Sequence, residues 1–321
     1  MRSKTGCSLS ETKIRNLLSE RTPFLQLMQK AFILRQKYFG RKVRIHILDN
    51  VQSGSCSEDC RYCRQSRWQK KATVYPMKSE KIILAEAAQA YRDGAFRHCM
   101  VFSGRDAGEN RILKICRILK KIKKKYAMKL CVSAGFLTKE QAVSLKKAGA
   151  DRYNHNINTS HNKYSDICSS HDYQMRVATI NNARAAGLSV CSGVIIGMGE
   201  TVRDLAQILH DLSSVRPDSI PVNFFIPFAG HRIKNPQKLT PEYCLRILCI
   251  FRLAFPDTEI RIAGGREIHL GSLQALSLFA ANSLFARGYL TIGGESMEET
   301  RKMIKDAGFT AETADKIILK K

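Results

Sequence analysis

The chain has 321 residues, 44% of them hydrophobic, enough for one large domain or two smaller ones with a substantial core. No run reaches the ~18 consecutive apolar residues of a membrane span, and Met1 to Lys13 lacks the apolar stretch of a secretory leader, so no membrane partner and a cytoplasmic location are expected. The formal charge of +25 raises the question of nucleic acid, but its densest run, Lys120, Lys121, Lys123, Lys124 and Lys125, ends a segment in which Ile112, Ile115, Cys116, Leu119 and Ile122 recur at helical spacing. Cations on the outer face and last turn suit the helix dipole, so this run reads as a solvated face and no nucleic-acid partner is expected.

Along the chain, residues 1–40 read as a helical extension in which Leu25, Met28, Phe32 and Leu34–Arg35 give a partly amphipathic pattern. From Val43 onward short apolar runs alternate with helical patterns. Strands are expected over 43–48, 98–102, 128–133, 151–155, 188–196, 219–226, 258–263 and 282–286. Helices are expected over 79–93, 108–125, 138–148, 171–186, 201–215, 240–255 and 266–280. Thr240 before Pro241 predicts a capped helix start, Thr138 with Gln141 a capping box, and Gly94, Gly149 and Gly187 left-handed helix ends. Strands alternating with helices predict an α/β fold, a parallel (β/α)8 TIM-type barrel over 41–290, with 291–321 as a C-terminal segment packed on it. A doubly wound open sheet is the alternative, because periodicity alone does not decide closure. In a barrel, reactive groups lie at the C-terminal ends of strands, and the loop 50–63 directly follows the first one.

That loop carries Cys56, Cys60 and Cys63 in a C-x3-C-x2-C spacing. Three thiolates hold three corners of a [4Fe-4S] cube and leave the fourth iron open to a small chelating ligand. Zinc is the competing reading. It usually takes four ligands in two pairs, and no second C-x2-C pair or nearby H-x3–5-H stands in the sequence. With Tyr62 before the third cysteine, the triplet resembles the radical S-adenosylmethionine (SAM) signature, in which the open iron takes the methionine end of SAM. Cys99, Cys131 and Cys191 fall on three different expected strands; singly each reads as a small buried hydrophobe, and only a closed barrel would turn them toward one interior. Cys7, Cys116, Cys168, Cys244 and Cys249 read as structural or incidental. Eleven cysteines suit a reducing compartment.

The segments Arg97–Met100, Tyr153–Asn156, Val190–Gly193 and Ile260–Glu267, with Gly54–Cys63, closely resemble the biotin synthase family in order and spacing, from about Val43 to Gly294. The resemblance implies a radical SAM sulfurtransferase that converts dethiobiotin to biotin. Cys56, Cys60 and Cys63 would hold a [4Fe-4S] cluster that cleaves SAM to a 5′-deoxyadenosyl radical. Cys99, Cys131, Cys191 and Arg261 would hold a [2Fe-2S] cluster that donates the sulfur. Read without the family, Arg261 is a structural ion-pair residue, for example with Glu267, and Arg176 a surface helix residue. By resemblance Arg176 meets the SAM carboxylate, Asn156 and Asn158 meet its ribose, and Tyr62, Gly193, Ile195 and Glu200 complete the cofactor pocket. Asn156, Asn223 and Thr291 would contact dethiobiotin, Asn223 at its ureido ring. A homodimer and an electron donor such as flavodoxin or ferredoxin are further implications.

The sequence departs from common family patterns at Asn158, where many relatives carry Asp, at Gly230–Ile233, and at Ile292. The last two put the recognition of the substrate's tail in question rather than the radical chemistry. Two other classes of function stay open at this point: a radical SAM enzyme acting on tRNA or another substrate, and a non-catalytic iron–sulfur scaffold.

Overall fold

In the computed structural model, strand β1 (Lys42–Gln52) pairs in parallel with β2 (Arg97–Phe102) on one side and with β9 (Ser283–Ala286) on the other, which closes the sheet into a barrel. Between them run β3 (Lys129–Ser133), β4 (Arg152–Asn154), β5 (Ser189–Cys191), β6 (Val194–Ile196), β7 (Ser219–Phe224) and β8 (Glu259–Ile262), all parallel. Residues 9–69 and 73–314 are described. Cys7 and the end of the expected C-terminal segment, 315–321, lie outside them.

The helices between strands are α3 (Glu80–Arg92), α4 (Gly108–Lys125), α5 (Lys139–Lys147), α6 (Tyr164–Ile167), α7 (Tyr173–Ala185), α8 (Val202–Val215), α9 (Pro241–Ala254) and α10 (Arg266–Leu270). They follow α1 (Glu11–Leu18) and α2 (Phe24–Phe39), and a last helix α11 (Met297–Asp306) leads to β10 (Thr310–Glu312). The caps come from the expected residues. Thr138 and Gln141 form a reciprocal capping box, and Thr240 Oγ1 accepts the Tyr243 N–H at 3.2 Å with Pro241 at the first helical position. On α4, Ile112, Ile115, Ile118, Leu119 and Ile122 are buried and the lysine run lies outside, where Lys121 pairs with Glu80 and Lys123 with Asp151.

Four details differ from the sequence reading. The segment expected as one strand over 188–196 is broken at Ser192–Gly193, so β5 and β6 share one barrel position. Gly193 at the break lies hard against the neighbouring strand: a Cβ there would stand 1.9 Å from the Pro221 carbonyl oxygen. Gly193→Ala is therefore expected to cost more than the ~1–3 kcal/mol of an ordinary overpacked core site, read as a fall in thermal stability. Second, the helix expected over 266–280 is α10 followed by a 3-10 turn, Gly271–Phe279. Third, α2 buries Leu27, Met28, Ala31 and Arg35, whereas Leu25 is 76% exposed. The buried face of α2 packs against α9, whose Arg246 also donates to the Leu17 and Thr22 carbonyls at the end of α1 and in the linker before α2. Fourth, β10 adds a further parallel strand beside the start of β1, pairing Lys42 with Thr310.

Candidate active site

The loop after β1 is fixed at both ends by backbone bonds: Ser53 pairs with Tyr75, and Arg67 N–H donates to the Glu58 carbonyl at 2.9 Å. The acidic pair inside the cysteine motif anchors it further. Asp59 accepts from the Ser169 and Ser170 N–H groups at 2.9 and 3.0 Å, and Glu58 accepts from Ser170 Oγ at 2.7 Å, from Arg105 at 3.0 Å and from His171 Nδ1. Burial pushes the Glu58 carboxyl up, but Ser170, Arg105 and His171 together hold it below its ordinary range. Burial pushes the Cys56 thiol up and the Cys63 thiol up to about 11. Cys60, which donates to Cys168 Sγ at 3.8 Å, is also raised. Thiol protons must leave for iron to bind, so loading this loop releases protons.

His171 joins the loop to Arg176. With its Nδ1 on Glu58, its Nε2 takes a bond from Arg176 Nη2 at 3.0 Å, and Arg176 also donates to Tyr164 Oη and to the Asn156 carbonyl (3.0 Å). Arg176 is 9% exposed, so the surface-residue reading is wrong; α6, the four-residue helix carrying Tyr164, supplies the cover. Asn158 has a φ of 69° and donates from Nδ2 to Tyr62 Oη at 2.7 Å. Asn and Asp are the non-glycine residues that adopt this left-handed conformation most readily, which accounts for either standing here.

The second set of cysteines sits deeper, within the strands. Cys99 and Cys131 are register partners on β2 and β3, and with Ala263 and Phe285 they form a small apolar cluster separate from the main core. Cys191 ends β5 and accepts from Arg261 Nη1 at 3.4 Å. Burial pushes the Cys191 thiol up. Arg261, on β8, pairs with Glu259 and donates to Ser219 Oγ at 2.8 Å. Glu267, the expected partner, instead pairs with Arg266 at 2.6 Å. Burial pulls the Arg261 guanidinium down, but Glu259 and the thiols more than offset it and hold it above its ordinary value.

One cavity of about 330 Å³ reaches both sets. Its wall includes Cys56, Cys60, Cys63, Cys99, Cys131 and Arg261, with Tyr62, Asn156, Asn158, Arg176, Ile195, Asn223 and Thr291. Cys191 is buried behind the wall, bonded to Arg261. Gly193 and Glu200 stand behind the wall: Gly193 N–H donates to Asn156 Oδ1 at 3.0 Å, and the Glu200 carboxylate accepts from the Gly197 and Met198 N–H groups at 2.7 and 2.9 Å. Asn223 joins two segments, donating to the Val194 carbonyl at 2.9 Å and accepting from Gly264 N–H at 3.0 Å. Each amide keeps further donor and acceptor capacity. His231 packs edge-on against Phe225 and Phe228, which line the cavity, while Arg232 stacks over Trp68 outside it. Ile292 lines the mouth beside Thr291. Cys168, read from sequence as structural or incidental, lies between Cys60 and His171 and donates to Asp59 at 3.1 Å.

Residues 51–212 match the radical SAM superfamily model, and residues 221–310 match the biotin and thiamin synthesis associated domain. A biotin synthase from Leptospira interrogans serogroup Icterohaemorrhagiae serovar copenhageni is 50% identical over 320 residues, covering 99% of this chain and 91% of the relative. One from Magnetococcus marinus is 46% identical over 305 residues, covering 94% of this chain and 95% of the relative. The chain belongs to the biotin synthase family. As a member of that family it is a radical SAM sulfurtransferase whose cofactors are SAM, a [4Fe-4S] cluster and a [2Fe-2S] cluster. The barrel itself is shared more widely. Methylornithine synthase (PylB) superposes with a TM-score of 0.82 at 18% identity, covering 95% of each chain. The hydrogenase maturase HydG from Carboxydothermus hydrogenoformans superposes with a TM-score of 0.81 at 18% identity, covering 95% of this chain and 76% of that one.

The side chains fit both clusters. The loop offers three thiols beside a cavity, the donor set of a cube with one open iron. In the deeper layer Arg97 is buried with Nε and Nη1 unpartnered, and Arg261 Nε is likewise orphaned. Among the described residues Arg97 makes no ion pair and Arg261 shares the single Glu259 carboxylate with Arg152, so positive charge is in excess here. Buried charge needs compensation, and three thiolates beside these arginines bring it. Among the described residues no helix is long and apolar enough to cross a membrane.

Proposed function

We propose that the barrel inserts sulfur into dethiobiotin at this cavity, with Cys56, Cys60 and Cys63 holding the [4Fe-4S] cluster and Cys99, Cys131, Cys191 and Arg261 the [2Fe-2S] cluster. The observation that carries it is the meeting of Cys56, Cys60 and Cys63 with Cys99, Cys131 and Arg261 of the deeper set on one cavity. When bound, the clusters and SAM supply the radical and the sulfur; the protein supplies placement.

Arg176 offers its guanidinium to the SAM carboxylate, a charge-assisted pairing, and Glu58 and His171 hold it in place. Asn156 and Asn158 offer amides to the ribose, with Tyr62 fixing the Asn158 side chain. Gly193 and Glu200 shape the backbone around Ile195 rather than touch the cofactor. Asn223 offers both a donor and an acceptor to the ureido ring, with Asn156 beside it. Thr291, at the mouth, takes the substrate's carboxylate end. The aromatic wall of Phe102, Phe136, Phe225, Phe228, Phe285 and Tyr289 keeps water from the reacting carbons.

We further infer a working unit of residues 41–290 with helical extension 1–40 and C-terminal segment 291–321. The protein acts as a homodimer in the cytoplasm, with a flavodoxin or ferredoxin as electron donor. Ten free cysteines among the described residues support a reducing compartment.

The test is anaerobic. The clusters are reconstituted, SAM, reductant and dethiobiotin are added, and 5′-deoxyadenosine and biotin are quantified by mass spectrometry. Both products are expected. Deoxyadenosine without biotin would move the substrate assignment elsewhere; neither product, from protein holding the [4Fe-4S] cluster, would favour a scaffold.

A further inference from the structure

Beneath the cysteine layer, the barrel floor gathers four arginines and a histidine around one carboxylate. Glu259 is 3% exposed, and its neighbours come from five strands. Its Oε1 accepts from Arg261 Nη2, from Ser219 Oγ at 3.1 Å and from Ser283 Oγ at 3.1 Å. Its Oε2 accepts from Arg152 Nη1 at 3.1 Å and stands 3.5 Å from Arg44 Nη1. His46 Nε2 lies 3.3 Å from Oε1 without a hydrogen-bonding angle. The fourth arginine, Arg97, has no bond to it, and its Nε and Nη1 are unpartnered.

A guanidinium is planar, with its donors in a fixed fork. Two acceptors on one terminal nitrogen therefore set the orientation of the whole group. Glu259 and Ser219 (2.8 Å) both take Arg261 Nη2. The other terminal nitrogen, Nη1, is thereby left toward the thiols, 3.4 Å from Cys191 Sγ. We propose that Glu259 is a positioning residue for the auxiliary cluster: it claims Nη2 of Arg261 and so presents Nη1 to the iron. This rests on the reading of Arg261 as the fourth ligand. The logic is that of a carboxylate behind a metal-bound histidine, which selects the nitrogen that faces the metal and raises its basicity. Glu259 does this while also tying Arg152 and Arg44 into the floor, so the orientation of Arg261 is coupled to β1 and β4, not only to its own strand.

The test uses the full chain, reconstituted with both clusters and labelled with 15N-arginine, and resonance Raman spectra of the oxidised auxiliary cluster. The parent protein is expected to show an iron–ligand band that shifts with the label. In Glu259→Gln that band is expected to move or disappear. The auxiliary cluster is expected to bleach about 10–100-fold faster under a chelator, matching the loss of metal affinity that follows removal of a group behind a metal ligand. The [4Fe-4S] cluster and reductive SAM cleavage are expected to persist. Glu259→Asp keeps the charge that the floor arginines need but shortens the reach to Arg261; it decides the matter if the Gln variant does not fold. A labelled band with the same position and bleaching rate in the folded variants would overturn the positioning role and leave Arg261 as a ligand. Absence of any label-sensitive band in the parent would overturn the ligand reading, and the proposal with it. A fall in thermal stability with an unmoved band would reduce Glu259 to a structural charge.

Discussion

Cys131→Ala is expected to abolish biotin formation and the visible absorbance of the auxiliary cluster while reductive SAM cleavage continues. Cys131 lies in the middle of β3 and pairs in register with Cys99 on β2, inside the barrel and outside the loop of Cys56, Cys60 and Cys63. The loop is held by Glu58 and Asp59 to the turn at 168–171, and none of those bonds runs through β3. The substitution therefore removes one donor of the deeper set without loosening the first. It also removes a thiol that donates to Cys99 and is itself raised by that bond and by burial. What remains is Cys99, Cys191 and Arg261, too few for a four-ligand cluster. The barrel tolerates the change in packing, because alanine fills most of the cysteine's space and the cost stays in the ~1 kcal/mol range of a single small deletion. The measurement is 5′-deoxyadenosine and biotin from the same reaction, with iron and sulfide per chain. Loss of deoxyadenosine from protein whose [4Fe-4S] cluster is intact would show that the two sets do not act separately.

The barrel was legible because its strands are short apolar runs punctuated by capped helices, and those signals are local. Thr138, Gln141 and Thr240 cap where their side chains alone predict. The need for glycine at 193 was not legible, because it comes from the Pro221 carbonyl on the next strand. The loop cysteines were readable from spacing. The deeper set was not: Cys99, Cys131 and Cys191 become a set only when the sheet closes, and family resemblance rather than spacing joined them. Arg176 looked like a surface residue because Tyr164, which covers it, lies on a helix of four residues that carries no periodic signal. Cys168 approaches Cys60 from 108 positions away, beyond any local pattern. Glu259, by contrast, was legible within its own strand. Residues two apart on a strand share a face, so the run Glu259-Ile260-Arg261 already placed a carboxylate beside the arginine, whereas Glu267 lies past the strand's end.

Arg176→Lys is expected to raise the KM for SAM by about 10–100-fold with the [4Fe-4S] cluster loaded as in the parent. The size follows from losing one or two charge-assisted hydrogen bonds, ~1.5–3 kcal/mol in all, at about 1.4 kcal/mol per tenfold. Lysine keeps the positive charge but not the planar fork. It can no longer bond Tyr164, His171 and the Asn156 carbonyl together while offering a free pair of donors to a carboxylate. The cluster loop is anchored on the other side of His171, by Glu58 and Asp59, so iron loading does not depend on the guanidinium. The kinetic split matters more than the size. A role confined to holding SAM raises KM and leaves the rate at saturating SAM close to the parent's. A role confined to structure would instead lower iron content or thermal stability, because His171 and Tyr164 would lose a buried partner. Deoxyadenosine formation across a SAM titration, with iron per chain measured on the same sample, separates the two; unchanged KM with reduced iron would remove Arg176 from the cofactor site and leave it as the strut of the 168–171 turn.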